Sequence, residues 1–309
     1  MDTIFLVGVL SGGIRLAMPM LFAALGETVT ERAGVLNVGI EGVMLVGAFL
    51  AAFGAVATGS PWGGLLCAII GGTALALLHA WFCIALRVDQ IVTGVALVVL
   101  GTGLSGFGFR MTLGAKMPAP PVPSFSRIDF GELSRIDIIG PVLFSHHFLA
   151  YVGFAAAFAQ WWFLYRTTWG LEIRAIGESP QAADSVGIGV NRVRYAATAF
   201  GGAMAGIGGA YLAIAELSGF VENMVAGRGF IAIACVVFGR WNPLGVMLAC
   251  LFFGLTDAAQ VRLQSLNPDI PYQFFVMAPY ALAVLFLIFF AGRAGLPRAL
   301  GLPFRSGHG

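Results

Sequence analysis

Four polar side chains in otherwise apolar stretches are the residues best placed to do chemistry. Asn37 and Glu41 share a glycine-rich stretch, Thr93 lies near the start of another apolar run, and Asp257 lies near the end of a third. Polar and ionisable side chains inside a membrane are costly and often belong to solute pathways or proton relays. We therefore take these four as candidates for a solute path. The alternative is structural: Asn37 and Glu41 would hydrogen-bond exposed backbone, and Asp257 would pair within the fold.

The sequence offers little to an enzyme. No GxxxxGK[ST] phosphate loop occurs, so we expect no ATP or other cofactor bound to this chain. No Ser/His/Asp or Cys/His arrangement converges, and His146-His147 lack the spacing of a zinc protease helix. His79 stands alone, which favours a hydrogen-bonded packing residue over a metal ligand. Four cysteines lie in apolar runs without metal or disulfide spacing and read as small core residues: Cys67, Cys83, Cys235 and Cys250.

The composition is that of a membrane protein. Hydrophobic residues make up 59% and charged residues 10%, against about 25% charged residues in soluble domains. The 43 glycines among 309 residues suit helices packed through small side chains. The net charge of +2, without a basic run, gives no reason to expect nucleic acid as a partner. We predict an all-α polytopic bundle, residues 1–309 as one domain, with about 8–10 transmembrane helices and interrupted or re-entrant segments.

The apolar runs give the predicted spans. Arg15 in the first run is interpreted as paired within the assembly or close to water, and a polar turn is predicted at Gly26–Arg32. The second run contains Asn37 and Glu41 among glycines, which indicates a broken or re-entrant helix. In the sixth, small residues four apart predict close helix packing. The runs are Ile4–Leu25, Ala33–Thr58, Trp62–Leu86, Ile91–Phe109, Phe148–Tyr165, Tyr195–Ala215, the short Phe230–Gly239, Leu244–Ala259 and Tyr272–Ala291.

Arginines in short loops orient the chain. Four of them mark residues 167–194 as cytoplasmic: Arg166, Arg174, Arg192 and Arg194. Residues 110–147, rich in proline, are then an extracytoplasmic loop, either a surface for a solute-binding protein or simply solvated. Counting back over nine runs puts the N-terminus outside. A re-entrant segment at Gly34–Gly42 would change whether the number of crossings is odd or even, and would therefore reverse the predicted side of the N-terminus.

The cytoplasmic segment 167–194 contains a short helix with clear signals at both ends. Ser179 is a typical N-cap, Pro180 suits the first helical position and Gly187 offers a left-handed stop. A helix of about two turns is marginal alone, so it must dock against something. The small residues Ala182, Ala183 and Gly187 suit close approach to a groove in another protein.

Two motifs, within Gly170–Ile188 and Glu31–Leu45, resemble those of the permease subunits of bacterial ABC importers, in the branch with ribose, branched-chain amino acid and nucleoside systems. The first, similar to the cytoplasmic coupling segment, is Gly170-Leu171-x-x-Arg174-Ala175-x-Gly177-Glu178-x-Pro180-x-Ala182-Ala183-x-x-x-Gly187-Ile188. The second, similar to the signature of nucleoside-type members, is Glu31-Arg32-Ala33-Gly34-Val35-Leu36-Asn37-Val38-Gly39-Ile40-Glu41-Gly42-Val43-Met44-Leu45. With hydrophobic spans throughout, the resemblance covers nearly the whole chain.

The resemblance implies a non-enzymatic transporter subunit in the bacterial plasma membrane. Its partners would be a second, different but homologous permease, a cytoplasmic ATPase that binds Mg-ATP, and an extracytoplasmic binding protein. The ATPase would dock on the motif residues Arg174, Gly177, Glu178, Pro180, Ala182, Ala183, Gly187 and Ile188. The solute would be a nucleoside or simple sugar, with branched-chain amino acids as a further alternative. A rival class is a secondary transporter with Glu41 or Asp257 as its proton-linked carboxylate, and an intramembrane enzyme is more distant.

Overall fold

The computed structural model describes residues 2–114, 120–128, 130–266, 273, 277, 281 and 295–305. Within these residues the chain is helical and forms no strand, apart from an isolated bridge between Arg127 and His147. π-helical turns at Trp81–Ala85 and Leu212–Glu216 prolong α3 and α9. The helices are α1 Asp2–Arg32, α2 Ile40–Thr58, α3 Pro61–Ala80, α4 Gln90–Met111, α5 Ile139–Leu143, α6 Phe148–Arg166, α7 Thr168–Glu178, α8 Pro180–Ser185, α9 Val190–Tyr211, α10 Arg228–Phe238 and α11 Pro243–Leu266.

Seven of the described helices are long and apolar enough to cross a membrane, and α10 is a shorter apolar helix. The predicted all-α polytopic membrane bundle is therefore confirmed. The break in the second apolar run is also present, because α2 begins only at Ile40. The last predicted span, Tyr272–Ala291, lies outside the described residues except at positions 273, 277 and 281.

The predicted polar turn at Gly26–Arg32 is wrong, because α1 continues without a break to Arg32. Its polar side chains lie inside the bundle: Glu27 and Glu31 are both 1% exposed. Thr28 Oγ1 donates to the carbonyl of Ala24 at 2.7 Å, a bond that a threonine makes easily inside a helix. The composition of this stretch suggested solvent, whereas burial against other helices fixes it as helix.

The predicted close packing of the sixth run is confirmed in α9, the central helix. Its row of Gly201, Ala205 and Gly209 is buried, and a Cβ on Gly209 would stand 2.8 Å from the backbone nitrogen of Ala48 in α2. The neighbouring row faces α3, where a Cβ on Gly202 would stand 2.5 Å from the carbonyl oxygen of Gly72. Small side chains thus let α9 touch the backbones of two other helices.

Residues 120–128 and 139–147 cover the end of the bundle opposite α7. The backbone N–H of Phe125 donates to the carbonyl of Ile214 at 2.8 Å, and His147 Nδ1 lies 2.8 Å from the carbonyl oxygen of Phe125. His146 lies close enough to Arg15 for their charges to interact. Arg32, at the C-terminal end of α1, contacts α7. This covering segment belongs to the predicted extracytoplasmic loop.

Acid is expected to loosen this covering segment. Burial lowers the pKa of both His146 and His147, and repulsion from Arg127 acts in the same direction. The undocked segment therefore binds protons at a higher pH than the docked segment does. Docking is most stable above about pH 6.5, the ordinary histidine pKa, and weakens as the pH falls below that value. Hydrogen exchange should show a several-fold lower protection factor for the Phe125 amide near pH 5 than near pH 8.

The control for this experiment is the double variant His146→Gln/His147→Gln, which keeps hydrogen-bonding side chains but cannot titrate. Its protection at Phe125 should not change over the same pH range. If the wild-type protection factor were equally independent of pH, the two histidines could not be the acid-sensitive groups.

Candidate functional site

The break between α1 and α2, residues 33–39, is held by side chains from three helices. The N–H of Asn37 donates to Glu27 Oε1 at 2.8 Å, and the N–H of Leu36 donates to Gln90 Oε1 at 2.7 Å. His79 Nε2 lies 3.0 Å from the carbonyl oxygen of Leu36. Non-helical backbone is tolerated inside a bundle only when its polar groups are satisfied in this way. His79 therefore packs and hydrogen-bonds, and no group of metal-ligating side chains occurs in the described part of the chain.

Asn37, the first path candidate, lies within this break and is 2% exposed. Its Oδ1 accepts from the N–H of Gly39 at 3.1 Å, which organises the turn leading into α2. Thr93, another candidate, is 7% exposed on α4, and its hydroxyl donates to the carbonyl of Asp89 at 2.8 Å within that helix. In this conformation both side chains are engaged with nearby backbone.

Glu41, the third candidate, caps the N-terminus of α10. We call α10 a half-helix, because its 11 residues are too few to cross a membrane. Its Oε1 accepts from the N–H of Gly227 and its Oε2 from the N–H of Gly229, both at 2.7 Å. The first N–H groups of a helix lack intrahelical partners and carry a partial positive charge, so a carboxylate is a favourable occupant. The approach is close, because a Cβ on Gly229 would stand 2.7 Å from Glu41 Cα. Only glycine at position 229 allows this cap.

Arg228 joins Glu41 to Asp257, the fourth candidate. It interacts electrostatically with both carboxylates, one on α2 and the other on α11. Its Nη1 donates to the carbonyls of Met224 and Val225, while its buried Nε has no hydrogen-bond partner among the described residues. The structure thus brings two of the four candidates to one cation at the N-terminus of α10. Sequence reasoning missed Arg228, although a charged residue directly before a short apolar run was a visible signal.

A cavity of about 640 Å³ lies elsewhere, between α6, α7 and α9. Apolar side chains such as Phe163, Ile173, Phe200 and Met204 form most of its wall. None of the four path candidates lines it. This cavity is therefore separate from the candidate path.

The short helix predicted within residues 167–194 forms as its sequence predicts. Ser179 Oγ accepts from the N–H of Ala182, Pro180 occupies the first turn of α8, and Gly187 has a φ of 85°. Its small residues, however, do not share one face. Ala182 and Gly187 are exposed, whereas Ala183 is 3% exposed and packs in a cluster with Ile176 and Phe304.

α7, which precedes α8, contacts the end of α1. A Cβ on Gly177 would collide with the carbonyl oxygen of Arg32, so the two backbones touch. The Arg174 guanidinium lies 5.0 Å from the centre of the Tyr165 ring, and the Tyr165 hydroxyl accepts from Arg32 at 3.4 Å. Glu178 faces Arg298 at 3.9 Å on an exposed surface. Of the motif residues, Gly177 therefore touches Arg32 directly, and Arg174 contacts the tyrosine that accepts a hydrogen bond from Arg32.

Comparison with known proteins identifies the family. The profile described as branched-chain amino acid transport system / permease component matches residues 9–293. The chain belongs to this permease family. Its similar proteins include a guanosine ABC transporter permease protein of Bacillus subtilis, NupQ, which is 38% identical over 94% of both chains. No solved structure matches the chain.

Two further relatives extend the comparison. The nucleoside ABC transporter permease protein NupC of Lactococcus lactis is 35% identical over 93% of both chains. A putative glucose ABC transporter permease protein of Haloferax volcanii is 40% identical over 85% of this chain and 80% of its own. The permease is thus a transmembrane subunit of an ABC importer and not an enzyme, and ATP hydrolysis belongs to a partner ATPase. This assignment is favoured over the gradient-driven secondary transporter.

Proposed function

We propose that this permease forms part of the path for a nucleoside, with a simple sugar as the alternative solute, across a bacterial plasma membrane. The names of its relatives carry the proposal, since two of those compared transport guanosine or nucleosides and one is named for glucose. Partners are a second, homologous permease, an ATPase that binds Mg-ATP, and an extracytoplasmic binding protein. In this arrangement the chain itself binds no cofactor.

The cap on α10 supports an uncharged solute. A half-helix N-terminus inside a membrane is a natural receiver for a substrate carboxylate. Here Glu41 already occupies the N–H groups of Gly227 and Gly229, so an amino acid carboxylate would have to displace a buried acid. Nucleosides and sugars bring no such group. This disfavours the branched-chain amino acid alternative.

Uptake into proteoliposomes tests the solute class. The chain is reconstituted with its partner permease, ATPase and binding protein, and labelled nucleoside, ribose and leucine are offered with and without internal ATP. We expect nucleoside to enter only with ATP and leucine to stay outside. ATP-dependent leucine entry, or nucleoside entry that follows a proton gradient and ignores ATP, would overturn the proposal.

The exposed face of α8 is proposed as the docking site of the ATPase. Ala182→Arg places a long charged side chain on that face without disturbing the buried Ala183. We expect the variant to fold and insert normally, while ATP-dependent uptake falls by at least about tenfold. A factor of this size is within the range of typical allosteric coupling. Initial uptake rate and co-purification of the ATPase are the measurements.

Ala57→Arg is the matched control for this substitution. Ala57 is also exposed on a helix, but it lies near the far end of α2, where a long arginine side chain can reach water. Its uptake should equal that of the wild type. Normal transport by Ala182→Arg, with the ATPase still bound, would contradict docking on this face.

A further inference from the structure

The two ends of the half-helix α10 are held by residues of one sequence motif. Glu41 caps its N-terminus, and Glu31 and Arg32 hold the turn after its C-terminus. Trp241 Nε1 donates to Glu31 Oε2 at 2.5 Å, and Arg32 Nε donates to the carbonyl of Trp241 at 3.1 Å. We define Glu31, Arg32 and Trp241 as the α1–α10 junction.

The backbone at this junction is strained. Arg240 and Trp241 have φ values of 56° and 54°, a region that bulky residues adopt rarely. Arg32 Nη2 also donates to the carbonyl of Arg240 at 3.4 Å, so one guanidinium binds both strained residues. Trp241 is completely buried. Such conformations persist only where surrounding contacts over-determine them, and they occur often at switch regions.

The same arginine receives the contacts of α7. The backbone of Gly177 touches the carbonyl oxygen of Arg32, and Tyr165, beneath Arg174, accepts a hydrogen bond from its guanidinium. Arg32 therefore links α7 to the turn that ends α10 through contacts at every step. The far end of α10 holds Glu41 and Arg228 at the candidate path.

From these contacts we infer that the α1–α10 junction is the mechanical link between the ATPase-docking segment and the membrane path. Movement of α7 displaces Arg32, Arg32 shifts the Trp241 turn, and α10 follows as a rigid body with its N-terminus at Arg228. Arg32 and Trp241 are thus positioning residues that do not contact the solute. This inference rests on the proposed ABC import function.

Trp241→Phe tests the link, because it removes the N–H donor to Glu31 and keeps an aromatic ring. Measurements are made on the reconstituted complex: nucleoside uptake, ATP hydrolysis and their ratio. We expect ATP hydrolysis to continue and uptake per ATP to fall by about tenfold, since the junction carries the coupling. Trp162→Phe is the matched control, because Trp162 on α6 is 59% exposed and should leave the ratio unchanged.

Arg32→Lys provides a second variant, which keeps the charge but cannot hold both carbonyls and the Tyr165 hydroxyl at once. It should lower the same ratio. A ratio within about twofold of the wild type in folded Trp241→Phe would overturn the inference, since that is below ordinary allosteric coupling. Loss of assembly in both variants would do so too, because it would assign the junction a purely structural role. Failure of the wild type to couple uptake to ATP would instead contradict the proposed function.

Discussion

Glu41→Leu is expected to abolish ATP-dependent uptake and to lower the thermal stability of the permease markedly. The substitution removes the acceptor for the half-buried N–H of Gly227 and the buried N–H of Gly229, and it leaves leucine beside Arg228. Hydrogen bonds to a charged group contribute about 1.5–3 kcal/mol each. Losing both is comparable with a large part of the roughly 5–15 kcal/mol that holds a typical domain together.

Glu41→Gln is expected to cause a smaller loss of uptake and stability than Glu41→Leu. Its carbonyl oxygen can still accept from one of the two N–H groups, but its NH2 group faces the other as a second donor. We expect partial uptake and a melting temperature between those of the wild type and Glu41→Leu. Fluorescence-detected melting of the purified complex and initial uptake rates provide the two measurements.

Glu222→Gln is the control carboxylate. Glu222 lies on the surface and pairs with Arg110 at 2.8 Å, with both side chains well exposed. Exposed ion pairs contribute little to stability, so melting and uptake should hardly change. If Glu41→Leu melted like the wild type, the hydrogen bonds of Glu41 to α10 could not be what holds the half-helix.

The features that the sequence predicted correctly all have local causes. The apolar runs are long enough to span a membrane, the glycines and polar residues around Asn37 interrupt a helix, and Ser179-Pro180 starts α8. The two small rows of α9 are likewise visible as a spacing of four residues along one helix. Each feature depends on residues of one helix or of the segment next to it, so a pattern in the sequence records it.

The features that the sequence could not predict depend on contacts between distant residues. Glu41 meets Gly227, 186 positions away, and Glu31 meets Trp241, 210 positions away. No pattern in the sequence around Gly227 or Trp241 indicates these contacts. The polar stretch Gly26–Arg32 resembled a solvated turn because its composition cannot reveal that the break at 33–39 donates a hydrogen bond to Glu27 and that Trp241 donates one to Glu31. Ala182 and Ala183 are identical in type, and only packing against Phe304 turns one of them inward.

Gly101→Val is expected to prevent α2 and α4 from packing and to lower the yield of folded permease. A Cβ on Gly101 would stand 2.5 Å from the carbonyl oxygen of Gly42 and 2.6 Å from its Cα. These are backbone atoms, so no rotamer change relieves the clash and the helices must separate. Overpacking costs about 1–3 kcal/mol where side chains can adjust, and more is expected here. Because α2 carries Glu41, the displacement also pulls the cap away from α10.

Gly103 provides the control for this prediction, because a Cβ at that position would meet no described residue within 4 Å. Replacing glycine with alanine inside a helix normally stabilises it by about 0.5–1 kcal/mol. Gly103→Ala should therefore melt at or slightly above the wild-type temperature, whereas Gly101→Ala, two residues away on the same helix, should melt below it. The two variants make the same glycine-to-alanine change, so opposite shifts in melting temperature would distinguish the effect of helix propensity from that of contact between helices. Equal shifts in the two alanine variants would mean that α2 and α4 do not touch at Gly42.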